Sequence, residues 1–412
     1  MKNGLLAPLR LPQFRRLWAG QTLSSIGDGV MPVVLAGSIL AHHGASELGL
    51  VLGGESLALV LVVLFGGVLA DRIRRTRAMI AADLLRMGAV TGFALGATSG
   101  MLALPVALAM LAGLGSGLFV PASRALLPAV VPGLLTQANA LQSLSTRIGL
   151  IVGPALGGVF LATAGPAVGF WFDAATFLAS VLSLLTIADA KPVRERAESV
   201  LSAARAGIRA VLDRPWVATI IGQGTIQLIF AMAPAVVLLP IYLHEHRELS
   251  AYGLMLVLQA CGSATGGVLV GSRTPQKPGT VGVLGLGLLT VQLLCIVCNA
   301  PLAWLGAAMF LTGFGYSLFG VLWATGLQRS IPDDLLGRVF AVETLGTYSL
   351  EPAGLALAPI AAQQFGLRPI LITAILVMAA TTVVPFLVSG VAEFAGPPLA
   401  GHSAPTARAK AL

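Results

Sequence analysis

Four charged residues stand inside long apolar runs: Asp28, Glu55, Glu351 and Arg147. A charge at mid-bilayer depth is costly, so each is a functional candidate by default. Three carboxylates and one guanidinium suit a proton-titrating site. Burial disfavours an ionised carboxylate and a nearby arginine favours it, so a group moved between such surroundings takes up and releases a proton. Arg147 is the expected charge partner of these acids. Asp83 and Arg86, three apart, are expected to pair locally on their own helix, and Asp173 to be structural.

The elements that must hold these groups are membrane helices. Of the 412 residues, 56% are apolar and only 10% are charged, with a net charge of +8. A soluble domain carries about 25% charged residues, so lipid is the expected solvent for most of this chain. The basic residues sit in short gaps between apolar runs, which argues against nucleic acid and for membrane topology. Met1 to Pro12 is basic and leads into a long apolar run without a plausible cleavage site. Cys261, Cys295 and Cys298 all lie in apolar runs, and the Cys295/Cys298 pair has no second pair or histidine cluster to make a metal site. Neither a metal nor a cofactor is expected.

A hydrocarbon core needs about 20 apolar residues per helix. Breaking the chain at charges and Pro/Gly clusters predicts spans at 16–42, 48–70, 78–98, 101–123, 138–164 and 168–189 in the first half. The second half gives 216–243, 251–272, 279–299, 302–327, 338–364 and 368–390. The domains so defined are 1–189, a linker at 190–215, 216–390, and a tail at 391–412 whose Pro, Ala and Gly content predicts disorder. In the linker, Leu201, Ala204, Ile208, Val211 and Leu212 recur at helical spacing among arginines, as in an amphipathic surface helix. With both termini placed in the cytoplasm, Arg247 and Arg368 alone among the 25 Lys and Arg fall in outside loops, while Arg86 and Arg147 lie within spans. That bias fixes the expected orientation.

The chain also repeats itself. Gly66-Gly67-Val68-Leu69 returns as Gly266-Gly267-Val268-Leu269, and Val131-Pro132 as Ile331-Pro332, with a weaker echo of Gly153-Pro154 in Ala358-Pro359. The fold class read from this is an all-α membrane protein, with twelve transmembrane helices in two parallel six-helix repeats.

These words resemble the major facilitator superfamily. Gly67-Val68-Leu69-Ala70-Asp71-Arg72-Ile73-Arg74-Arg75 is similar to that family's loop between helices 2 and 3. Arg147 through Gly158 resembles the helix 5 signature of its antiporters. Leu11-Pro12-Gln13-Phe14-Arg15-Arg16-Leu17-Trp18 and Phe172-Asp173-Ala174-Ala175-Thr176-Phe177 strengthen the match toward the drug/proton antiporter branch, with its macrolide-efflux and siderophore-exporter-like members. The resemblance implies that helices 1, 2, 4, 5, 7, 8, 10 and 11 line the cavity and that 3, 6, 9 and 12 brace it. It implies a gate in which Asp71 faces the start of helix 11 near Arg338, with Arg72 and Arg75 adding charge and Glu343 pairing with Arg338 or Arg124. The second copy has lost this acid, since Gly271 and Ser272 stand in its place. Gly149, Gly153, Pro154, Gly157 and Gly158 form the expected packing motif, pressed in the family against the other half.

Gln21, Gln223, Gln227 and Gln259, with Phe230, Phe319 and Trp323, are the expected substrate-cavity residues. Such a mix suits amphipathic organic molecules. No nucleotide phosphate loop, H-E-x-x-H or G-x-S-x-G word is present, so an enzyme is not expected. The function expected is export of a small hydrophobic or amphipathic molecule by proton antiport, from a monomer in the cell membrane whose partners are substrate, protons and lipid. Uncoupled or import-direction transport and lipid flipping by the same fold are the alternatives.

Overall fold

The computed structural model describes residues 6–65, 74–96, 100–187, 200–272 and 275–395. The first half comprises α1 (Pro12–His42), α2 (Ala45–Phe65), α3 (Arg75–Ala94), α4 (Ala103–Val130), α5 (Leu135–Thr163) and α6 (Pro166–Leu184). A short helix, α7 (Val200–Leu212), precedes the second half. There α8 runs Pro215–Glu245, α9 Tyr252–Ser272, α10 Pro278–Val297 and α11 Leu302–Ser330. The eleventh path is broken into α12 (Asp333–Tyr348) and α13 (Glu351–Phe365), and α14 is Leu367–Val383.

Among the described residues, ten helices are singly long and apolar enough to cross a membrane. α3 carries Arg75, Arg77, Asp83 and Arg86, too many charges to pass by composition, and α12 and α13 are each too short alone. Together they make twelve crossings in two sets of six. The expected single span at 338–364 is divided because Pro352 has no N–H for the Tyr348 carbonyl, so the helix restarts at Glu351. In α8 a five-residue π turn, Leu228–Met232, precedes Pro234, which cannot donate to the Phe230 carbonyl.

Glycines let the helices of each half approach closely. Gly20, Gly27 and Gly29 of α1 lie against α6 and α5. Gly113 of α4 lies on the Glu55 carbonyl of α2, and Gly313 of α11 lies on the Gln259 carbonyl of α9. The same backbone contact thus occurs in both halves, as a repeat requires.

Among the described residues, the close glycine contacts between the halves lie at the end of the bundle away from the two chain termini. Gly49 and Gly53 of α2 sit on α13, where a Cβ would come within 2.7 Å of the Leu355 carbonyl and 2.9 Å of the Pro352 carbonyl. Gly253 of α9 lies on Pro154 and Gly158 of α5. Toward the termini the halves part. The linker helix α7 packs there on α12 through Gly207, Ala210 and Val211, while Ile208 and Leu212 remain exposed. The expected tail begins with an ordered piece: Val391 and Phe394 are buried, and Thr280 N–H donates to the Ala392 carbonyl at 3.0 Å. Phe394 meets Trp216, Phe319 and Trp323 in an aromatic cluster under the second half.

Candidate functional site

Charge gathers inside the first half, around Arg86 of α3. Its Nη1 donates to Asp28 Oδ1 at 3.3 Å and Oδ2 at 3.4 Å, and its Nη2 to Asp83 Oδ1. Asp83 is fully buried, and its second oxygen accepts from Ser180 Oγ of α6 at 2.7 Å. The rings of Phe119 and Phe177 flank the guanidinium at 4.6 and 4.5 Å, a cation–π arrangement that shields it from lipid. Asp173 of α6 is buried beside Thr176, whose hydroxyl donates to it at 3.2 Å. Gly27 makes this possible, since a Cβ there would collide with both the Asp173 carboxylate and the Thr176 hydroxyl.

The group with access is Asp28, whose side chain is 47% exposed. It opens on a cavity of 330 Å³ shared with Glu55, Arg86, Ser116 and Asp173 and walled by Leu35, Leu52, Val90 and Phe119. Two faces of one guanidinium therefore differ. The Asp83 side is sealed by protein, and the Asp28 side meets a cavity with mixed charged and apolar walls. Such a site can hold one carboxylate fixed while a second changes partner. A larger groove of 590 Å³ between α9 and α11 is lined by apolar side chains and holds no titrating group.

The expected proton-site residues are only partly together. Asp28 and Glu55 share this cavity. Glu351 lies apart, at the seam between the halves, where Ser56 Oγ donates to its Oε2 at 3.4 Å. Arg147 is not the partner of these acids. Its guanidinium points to α9, with Nη2 3.5 Å from where a Gly267 Cβ would stand, and the cation beside Asp28 is Arg86.

Of the expected gate, Asp71 and Arg72 lie outside the described residues. Arg75 opens α3, Arg124 is exposed near the terminal end of α4, and the Arg338 carbonyl packs under Gly207 of α7. Glu343 accepts from the Trp323 indole at 2.8 Å, a contact that burial of Trp323 requires. The packing motif divides. Gly149, Gly153 and Gly157 close on α1 of their own half, while Pro154 and Gly158 meet Gly253 of the other.

The cavity set also divides. Gln21 donates to Ser123 at 2.9 Å and accepts from Gln142 at 2.8 Å, linking α1, α4 and α5. Gln259 is half-buried against Gly313, and Phe230 is half exposed on the π turn. Gln223, Gln227 and Trp323 are buried instead of lining an open space. Gln227 points to α14 and donates to Thr381 at 2.9 Å. Phe319 stacks on Trp323 at 6.1 Å.

Arg86, Asp83 and Asp173 are the site residues that sequence reasoning undervalued. Their signal was present, because Asp83 and Arg86 fall in the predicted span 78–98 and Asp173 in the predicted span 168–189. Assigning those spans a bracing role by resemblance hid it.

Two six-helix halves, closed on each other at one end and parted at the other, with charge enclosed at membrane depth, define a multi-pass membrane transporter. The chain belongs to the Major Facilitator Superfamily, whose sequence profile matches residues 17–350. It is 29% identical over 364 residues to the enterobactin exporter EntS of Citrobacter koseri, an alignment covering 84% of each chain. It is likewise 29% identical over 398 residues to EntS of Shigella boydii, covering 89% of this chain and 92% of that one. Its fold is similar to that of a bacterial homologue of the human lysosomal transporter Spinster, with TM-score 0.71 and 15% identity over 95% of this chain and 99% of that one. A bacterial homologue of ferroportin superposes with TM-score 0.72 at 17% identity, covering 92% and 98%. The protein is a transporter and not an enzyme.

Proposed function

We propose that this chain exports a small amphipathic molecule of siderophore type from the cytoplasm, in exchange for protons, by rocking of its two halves. The termini face is the cytoplasmic one, so the arrangement described above is the inward-open state. Arg247 and Arg368 being the sole basic residues of the outside loops supports that orientation.

The observation that carries the reading is the pair Asp28 and Glu55 facing one cavity beside Arg86. A carboxylate at bilayer depth whose surroundings alternate between a guanidinium and apolar walls loads and releases a proton. One pH unit supplies about 1.4 kcal/mol per proton, which supports about a tenfold cargo gradient in one-for-one exchange. The EntS relatives, exporters of enterobactin by name, support the direction and the class of cargo.

The test uses inverted proteoliposomes with an imposed pH gradient and enterobactin as the probe. Wild type accumulates the probe only while the gradient lasts. Asp28→Asn removes the gradient dependence without unfolding the protein. Accumulation that ignores the gradient in wild type points to uncoupled passage and ends the antiport reading. Transfer of a fluorescent lipid in place of the probe points to a flippase.

A further inference from the structure

Arg86 and Arg147 lie well inside their spans, and their surroundings differ. Arg86 is buried between carboxylates and rings. Arg147 lies near the middle of α5 with its side chain exposed, and no acidic side chain pairs with it among the described residues. A guanidinium at that depth without a countercharge is costly, and proton coupling as proposed above does not use it.

Its position follows from the seam. Pro154 and Gly158 meet Gly253 at the closed end, where α5 and α9 touch backbone to backbone. Arg147 lies on the same face of α5, about two turns before Pro154. By that level the two helices have parted by the length of an arginine. A Cβ at Gly267 would stand 3.5 Å from Arg147 Nη2, 4.0 Å from Nη1 and 3.1 Å from Ser317 Oγ of α11. The guanidinium and the hydroxyl therefore converge over a bare stretch of backbone, at the vertex of the cleft that opens toward the termini.

We propose that Arg147 and Ser317 together seat an anionic oxygen of the cargo, of carboxylate or phenolate type, in the space that Gly267 leaves. This rests on the reading of the chain as an exporter. Both groups can donate, and a guanidinium offers a planar fork of N–H donors that matches two oxygens at once. The half that supplies Arg147 is not the half that supplies Ser317. The seat is therefore built from both halves, and rocking them changes the spacing of its two donors.

The experiment measures equilibrium binding in phosphatidylcholine nanodiscs, with no gradient imposed. The probes are dansylglycine, which ends in a carboxylate, and dansylethylenediamine, which ends in an ammonium. Wild type is expected to prefer the carboxylate by about tenfold or more. Arg147→Gln abolishes the preference, Arg147→Lys keeps only the part due to charge and not to the planar fork, and Ser317→Ala weakens carboxylate binding about two- to tenfold. Melting temperature and elution volume confirm that each variant is folded.

Equal affinity of wild type and Arg147→Gln for dansylglycine overturns the proposal, as does a wild type that fails to bind it at millimolar concentration. Discs containing phosphatidylglycerol separate cargo from lipid. An unchanged preference supports a cargo seat, and its loss there assigns the seat to headgroup phosphate and overturns the proposal. Because binding is read without a gradient, failure of proton-driven transport would leave this result standing.

Discussion

Gly253 and Gly158 face each other across one seam, and the structure gives them opposite tolerances. A Cβ on Gly253 would strike the Pro154 carbonyl oxygen and come within 3.0 Å of Gly158 N and 3.1 Å of its Cα. All of these are backbone atoms, which cannot swing away. A Cβ on Gly158 would meet the Ser250 carbonyl at 3.4 Å and Gly253 Cα at 3.6 Å, close to ordinary contact. Overpacking a tight contact costs about 1–3 kcal/mol. The helix propensity gained in replacing glycine by alanine is about 0.5–1 kcal/mol, but both transport states gain it and it cancels between them. Gly253→Ala should therefore shift the equilibrium away from the state closed at this seam by about 5- to 150-fold. Gly158→Ala should shift it little. The assay is a pulsed spin–spin distance between labels at Thr163 and Glu248, exposed positions on either side of the seam, with Cys261, Cys295 and Cys298 replaced. Gly253→Ala should populate a longer distance that Gly158→Ala lacks. Matching distributions for the two variants, both folded, would refute the reasoning.

Two further outcomes concern stability. Arg86→Gln leaves Asp83 buried without its cation and should cost about 3–5 kcal/mol, whereas Asp28→Asn, at a half-exposed side chain, should cost much less; thermal unfolding in detergent compares them. Phe394→Ala should destabilise by about 3–5 kcal/mol, because Phe394 is buried among Trp216, Phe319 and Trp323. A quenched or shifted tryptophan emission would report the same loss, and an unchanged melting curve would mean that the segment after α14 does not brace the second half.

What could be read from the sequence is what lipid dictates locally. Span length, the charge bias of loops and the repeated glycine words each follow from a neighbourhood of about 20 residues. Most helix ends lie near those expectations, but α4 runs on to Val130, past the expected 123, and α14 stops at Val383, short of the expected 390. The break at Pro352 was not readable in the same way. Pro32, Pro121 and Pro154 sit inside unbroken helices of this chain, so a proline in a span does not by itself announce a restart. The candidate site was half readable. Asp28 and Glu55 stood out as lone acids in apolar runs. Their partner did not, because Arg86 had a nearer acid, Asp83, three residues away on its own helix. That one guanidinium serves acids from α1 and α3 depends on how α1, α3 and α6 cross, and Gly27 sets part of that crossing.

The two halves share a backbone plan but have divided their chemistry. Gly113 on the Glu55 carbonyl and Gly313 on the Gln259 carbonyl are equivalent contacts, yet one carries a carboxylate and the other a neutral amide. The buried acids Asp83 and Asp173, and Asp28 beside them, all belong to the first half. The second half buries Trp216, Trp323 and Phe394 and neutral Gln223 and Gln227 instead. A membrane bundle cannot carry two such charge clusters cheaply, since each enclosed ion must be desolvated and then compensated. Gathering the Arg86 cluster in one half leaves the other, apart from Glu343 and Glu351, mostly apolar and hydrogen-bonding surface. Ser56 of α2, next to Glu55, then donates to Glu351 at the restart of the eleventh crossing. Consecutive residues of a single helix therefore face the ion cavity and the seam between the halves. A helix turn cannot move one of them without moving the other, and the proton coupling proposed above needs that kind of mechanical link.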